Sequence, residues 1–264
     1  VKAVIVMPRI TPEIKVAAVR GWGAKVILKG DAFAAAAEHA QELVEAHGYT
    51  YIPPFDDIDV VAGQGTVAME ILRQHSGPID AVFIPVGGGG LIAGMAAYIK
   101  YLRPEIKVIG VEAEDSACLK AALEAGERVI LEQVGVFAEG VAVAQIGEIP
   151  FSLMRDLVDQ VITVNTDEMC AAVKDIFEDT RAVSETSGAL SLAGLKKYIQ
   201  ETGAEGQTLI CINSGANTNF DRLQHIAERT ELGEQREAIL AVTIPERPGS
   251  FKKFCRTIGK RMVT

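Results

Sequence analysis

Short apolar runs rich in Val and Ile alternate along this chain with longer stretches in which apolar residues return every three or four positions. The runs at 3–7, 25–28, 81–85, 107–112, 160–164, 208–213 and 239–244 predict strands. The stretches at 12–21, 33–47, 65–74, 91–102, 116–125, 166–177, 188–199, 220–230 and 251–258 predict helices. Strands that alternate with helices and are apolar almost throughout predict an α/β fold, with open, mostly parallel sheets covered by helices on both faces. Thr11-Pro12-Glu13 and Thr166-Asp167-Glu168 carry helix-start signals, a capping hydroxyl followed by first-turn acids. The faces at 16–19 and 34–37 read as core, and Trp22 as a packing residue.

Two breaks divide the pattern. Pro53-Pro54-Phe55-Asp56-Asp57 ends the first strand-helix stretch, and the polar run at 231–237 separates the main body from the last strand. The expected parts are therefore 1–57, 58–230 and 231–264. A lone strand and helix after 237 cannot bury their own faces, so they read as the beginning of a further unit. The start at Val1 shows neither an initiator Met nor a signal-peptide layout, and the end at Thr264 has no tail, so the chain reads as an internal piece.

Composition narrows the function classes. With 48% hydrophobic and 23% charged residues, the chain is of globular type, and 264 residues suffice for large cores. A net charge of −9 argues against nucleic acid or an anionic membrane as main partner. No apolar run reaches the roughly 18–20 residues that span a bilayer. Cys118, Cys170, Cys211 and Cys255 show no CxxC spacing and no neighbouring histidine, which predicts free thiols in a reducing, cytoplasmic setting. His39, His47, His75 and His225 are scattered and receive no catalytic task.

The richest chemistry lies in Val86-Gly87-Gly88-Gly89-Gly90-Leu91, between a predicted strand and a predicted helix. Four glycines there leave backbone N–H groups bare at a helix N-terminus, a geometry that binds phosphate. The turn lacks the Lys-Ser/Thr of a nucleotide P-loop. No stretch supplies a G-x-G-x-x-G with an acid about 20 residues on, so a nicotinamide dehydrogenase is disfavoured. A small cofactor's phosphate fits better; the other reading is a flexible turn. No fold requirement for four glycines is visible in the sequence. Ser214-Gly215-Ala216-Asn217 follows another predicted strand, and both turns are expected at one crevice beyond the carboxyl ends of the strands. Ser214 alone reads equally as a cap or turn serine. Ala62-Gly63-Gln64-Gly65-Thr66, expected to open a helix, and Phe137-Ala138-Glu139-Gly140-Val141 each read either as crevice lining or as a cap and turn.

Taken in order and with Ser187-Gly188-Ala189, these motifs resemble the pyridoxal-phosphate-dependent threonine dehydratases of the fold-type II, tryptophan synthase β-like group. The resemblance runs from Val1 to the end. It implies the remainder of a small α/β domain at 1–57 and a large cofactor-binding domain at 58–230. Residues 231–264 then resemble the linker and first strand-helix of an ACT-like regulatory domain, which points to the biosynthetic branch. It also implies that Gly87, Gly88, Gly89, Gly90 and Leu91 hold the 5′-phosphate of pyridoxal phosphate, that Ser214 sits by the pyridine nitrogen, and that Gly140 packs near the cofactor. A hydroxyl at the ring nitrogen cannot hold a pyridinium proton as an aspartate does, which weakens the electron sink and favours β-elimination over transamination. The implied reaction converts L-threonine to 2-oxobutanoate and ammonia, the first step of isoleucine biosynthesis, with isoleucine as feedback inhibitor and a homotetramer as assembly. Serine dehydratase and serine racemase share the chemistry, and a non-catalytic protein is the rival from another class.

Departures from the family pattern qualify this. The family's Schiff-base lysine, in a Ser-x-Lys-x-Arg motif, lies upstream of the residues present, so no catalytic residue is assigned and the chain alone is expected to be inactive. Lys15 reads as a surface residue on a helix. Thr186 stands where relatives usually have Pro, which predicts a looser turn beside Glu185. Some relatives bind a divalent cation in the stretch matching 111–118, but Cys118 replaces the final acid, so no metal is expected. Glu112, Glu114 and Asp115 read as a solvated helix start.

Overall fold

The strand Ala81–Pro85 (β3) is buried along its whole length, and its alternating side chains face two different cores. Val82 and Ile84 join one apolar cluster, while Ala81 and Phe83 join the other. This is why the run is apolar throughout instead of alternating. The structure, a computed structural model, describes residues 1–11, 13–31, 33–234 and 242–259.

Two parallel sheets are present among these residues. Val4–Met7 (β1) pairs with Lys25–Leu28 (β2), joined by helix Glu13–Gly21 (α1) and followed by Phe33–His47 (α2). The larger sheet contains β3, Lys107–Ala113 (β4), Gln160–Val164 (β5) and Leu209–Cys211 (β6), in the order β5-β4-β3-β6, all parallel. Helices Ile58–Gln74 (α3), Gly90–Leu102 (α4), Cys118–Ala125 (α5) and Glu148–Leu157 (α6) contribute to the first core. Thr166–Thr180 (α7), Thr186–Thr202 (α8) and Arg222–Gly233 (α9) contribute to the second. Ser250–Gly259 (α10) is the last described helix.

Several sequence expectations shift. Ala62–Thr66 does not open a helix; α3 starts at Ile58, because the Asp57 carboxylate accepts from the amides of Asp59 and Val60. Gly65 instead lets α3 and α4 touch. A Cβ on Gly94 would overlap Val61 O and lie 2.7 Å from Gly65 N. The cap of α7 is Asn165 rather than Thr166, in a capping box with Glu168. Helix α6 was not expected at all. Its first amides, Glu148 N and Ile149 N, are capped at 2.9 Å by Asp56, more than ninety residues earlier in the chain. Trp22 is 91% exposed and packs nothing; of 16–19 only Val16 is buried. Helix α9 runs to Gly233, into the polar stretch read as a linker. The strand expected at 239–244 lies outside the described residues at 239–241, and 242–244 show no strand. Pro12, expected in α1, also lies outside them. No helix among the described residues is long and apolar enough to cross a membrane.

Candidate functional site

The order β5-β4-β3-β6 reverses at β3. Connections from β3 build the sheet toward β4 and β5 on one side, and β6 adds on the other. A crevice forms at such a reversal, beyond the carboxyl ends of the two strands that part. The glycine turn follows β3 and Ser214 follows β6, and the pairing continues to Ile212 N, which donates to Phe83 O at 3.1 Å. The two turns expected at one crevice therefore lie side by side.

The glycine turn has an ordered backbone. Gly89, the residue before α4, has φ of 91°, in the left-handed region where a side chain is strained. A fold requirement, invisible in the sequence, exists for Gly88 and Gly89, and Gly87 and Gly90 have only tight room for a side chain. A Cβ on Gly87 would press on Val141 Cα at 3.0 Å, and one on Gly88 would overlap the Phe55 ring. One on Gly89 would meet Met154, Ile146 and Pro150, and one on Gly90 the Phe55 backbone. Packing thus accounts for much of the glycine content, and the functional reading rests on the hydrogen bonds. The carbonyl of Gly87 accepts from Cys118 Sγ at 3.5 Å, that of Gly88 from Gly147 N at 3.1 Å, and that of Gly89 from Ala93 N at 3.0 Å. With the carbonyls so engaged, the amides of Gly87 to Leu91 donate to no acceptor among the described residues. Gly88, Gly89 and Gly90 are buried. Buried amides without acceptors are costly, about 1–3 kcal/mol each, unless a ligand meets them. Converging at the N-terminus of a 13-residue helix, they suit a phosphate. Phe55, which the sequence placed only in a Pro-rich break, covers this turn; its signal was a large aromatic amid turn residues.

Ser214 is exposed at the crevice, its amide 3.4 Å from Gly188 O. Its hydroxyl has no protein partner among the described residues. The neighbouring loop is held by Ser184, whose hydroxyl lies 2.8 Å from Asn213 Oδ1 and 3.0 Å from Gly215 O. Gly140 donates its amide to Ser187 Oγ at 2.9 Å, which brings the 137–141 stretch against α8. A Cβ on Gly215 would overlap the Glu185 carboxylate, so Glu185 lies directly beside the Ser214 turn. Burial raises the Glu185 carboxyl above its ordinary value, with Lys15 opposing and Glu139 reinforcing. Thr186 does not loosen its turn: it is buried, begins α8, and donates its hydroxyl to Phe137 O at 3.1 Å.

Lys15 is not a plain surface residue. Its amine lies 3.5 Å from Glu139 Oε2, while Arg222 Nη2 reaches Glu139 Oε1 at 2.7 Å. A cavity of about 180 Å³ opens here, lined by Glu139, Glu185, Thr186, Asn219, Arg222 and His225 among others. His225 packs edge-on to Phe137 with ring centroids 5.8 Å apart. Glu112 is likewise no solvated residue. It is 0% exposed, and its two oxygens accept from Leu119 N at 2.7 Å and Lys120 N at 2.9 Å, capping α5. Glu114 and Asp115 do face solvent.

Residues 1–215 match the family model described as pyridoxal-phosphate dependent enzyme, and residues 228–264 match the C-terminal regulatory domain of threonine dehydratase. A biosynthetic L-threonine dehydratase of Salmonella typhimurium is 60% identical over all of this chain and 51% of its own length. One from Burkholderia multivorans is 57% identical, over all of this chain and 53% of its own. The solved processed form of threonine deaminase isoform 2 from Solanum lycopersicum superposes with a TM-score of 0.85 at 46% identity, covering 88% of this chain and 63% of that one. The chain thus spans about half the length of the curated relatives it matches.

Proposed function

The chain belongs to the pyridoxal-phosphate-dependent enzymes, of the tryptophan synthase β-like fold type, and on that premise we propose that it is part of a biosynthetic threonine ammonia-lyase. The observation that carries this reading is the row of amides without acceptors from Gly87 to Leu91, buried at Gly88, Gly89 and Gly90, beside Ser214 at the reversal of the sheet. The names of the relatives and the match of 228–264 to a regulatory domain support the substrate and the branch.

In this reading the amides of Gly87, Gly88, Gly89, Gly90 and Leu91 hold the cofactor phosphate, and the α4 dipole adds about 0.3–1 kcal/mol or more of attraction. Ser214 offers its hydroxyl to the pyridine nitrogen, and Gly140 leaves room for the ring. When bound, the cofactor supplies the electron sink that acidifies the substrate Cα–H. Ser214 sets the strength of that sink, because a neutral hydroxyl does not stabilise a protonated ring nitrogen. Phe55 covers the glycine turn and excludes water from its amides. No lysine of this chain stands in a Ser-x-Lys-x-Arg motif, so the lysine that takes the Cα proton is assigned to the part of the relatives' length that the chain does not span. Residues 1–57 are assigned to the small domain, 58–230 to the cofactor domain and 231–264 to the start of the regulatory domain. Isoleucine as inhibitor, a homotetramer and a cytoplasmic site complete the proposal, the last supported by four free cysteines.

The test is turnover. The full-length enzyme is expected to release 2-oxobutanoate from L-threonine, followed by coupled keto-acid reduction, and the 264-residue chain alone to release none. Racemised serine without keto acid, or full activity in the chain alone, would overturn the proposal.

A further inference from the structure

Among the charged residues of the crevice that the proposed reaction leaves without a task, Glu139 is the one on which two others converge. Its two oxygens are held from opposite directions, by Lys15 Nζ at 3.5 Å and Arg222 Nη2 at 2.7 Å. The three residues come from three separate parts of the fold. Lys15 lies on α1, beside the two-stranded sheet. Glu139 begins the short 3-10 turn next to Gly140. Arg222 is the first residue of α9. Arg222 also donates from Nη1 to Phe137 O at 3.3 Å, so α9 grips the 137–141 stretch at two points.

Helix α9 is moored at its other end on α7. Arg229 Nε meets Asp167 Oδ1 at 2.7 Å, and the Thr230 hydroxyl, 2.8 Å from Ile226 O of its own helix, also lies 3.1 Å from Cys170 O. Twelve residues make a rod of about 18 Å. Its last turns lie within 228–264, the segment that matches a regulatory domain. One helix therefore begins in the crevice and ends in that segment. The pairs at Glu139 are partly exposed, with side chains 28–40% accessible, and pairs of that kind are weak enough to break and re-form as elements shift. Gly140 follows directly and sits against Ser187 and Glu185, so a displaced Glu139 moves the wall beside Ser214.

We infer that Glu139 is a positioning residue that ties α1 to α9 across the crevice, and that α9 is the lever through which the regulatory segment acts on the site. The inference rests on the dehydratase reading. Its test measures L-isoleucine inhibition of threonine turnover in the full-length enzyme, with isoleucine binding followed separately by calorimetry. Glu139→Gln and Arg222→Met are each expected to raise the half-inhibiting isoleucine concentration about tenfold, within the range of allosteric couplings, while isoleucine still binds. Glu139→Asp, which keeps the charge, is expected to restore most of the response. The double variant is expected to lose no more than either single one, because both break the same link. Unchanged inhibition in Glu139→Gln and Arg222→Met, or additive losses in the double variant, overturns the inference. A wild-type enzyme that turns over threonine but ignores isoleucine overturns it too and leaves the dehydratase reading standing. Absence of threonine turnover overturns that reading itself.

Discussion

Glu112 shows how one buried carboxylate can be both strained and useful. Burial pushes its carboxyl up to about 7, against the Leu119 and Lys120 amides that favour the ionised form. Between pH 4.5 and about 7 the native chain therefore holds a proton that the unfolded chain has released. The contribution of Glu112 to stability is full below the unfolded value and is lost as pH rises through the folded one. Thermal melts at pH 5 and pH 8 are expected to show a smaller fall in Glu112→Gln than in the wild type; equal falls would contradict this origin. The thiols differ in the same physical way. Burial raises Cys118 and Cys170 to about 12, whereas Cys255 is exposed. Iodoacetamide at pH 7.5 is expected to alkylate Cys255 in the native protein, and Cys118 and Cys170 only after unfolding. Rapid native alkylation of Cys118 would mean that its contact with Gly87 O is not held. None of this was legible in the sequence, where Glu112 resembled its exposed neighbours Glu114 and Asp115.

Elements were legible where their cause is local. The buried run of β3 and the Ala-rich α4 follow from periodicity. Helix α6 does not, because its cap, Asp56, comes from a distant loop, and Pro150 sits in its first turn. The same limit hid the α3–α4 contact, since Gly65 and Gly94 gain meaning only when the helices cross. Two glycines separate these effects. Gly63 in α3 has open space where a Cβ would go, so Gly63→Ala is expected to stabilise by about 0.5–1 kcal/mol through helix propensity. Gly94→Ala would drive a methyl into the backbone of α3, and overpacking is expected to cost about 1–3 kcal/mol in spite of the same propensity gain. Urea midpoints measure both, and a stabilised Gly94→Ala would show that the helices can part freely.

At the scale of the molecule, parallel pairing brings the turns after β3 and β6 together, and with them residues far apart in sequence. The motifs at the carboxyl ends were readable because glycine and serine there carry chemistry as well as shape. Lys15, Phe55 and Arg222 were not, since an ion pair across the crevice and a ring over a turn depend on how the sheets and helices meet. The glycine run itself was readable for an incomplete reason: packing requires glycine at Gly88 and Gly89 and crowds Gly87 and Gly90, and only the amides left without acceptors point to a ligand. The central claim is that those amides grip an anionic group. A crystal structure of the full-length enzyme with pyridoxal phosphate tests it most directly. Phosphate oxygens within roughly 2.7–3.2 Å of the amide nitrogens of Gly87 to Leu91 are the predicted result. A phosphate lodged elsewhere, with those amides turned to water or to protein carbonyls, would contradict the account.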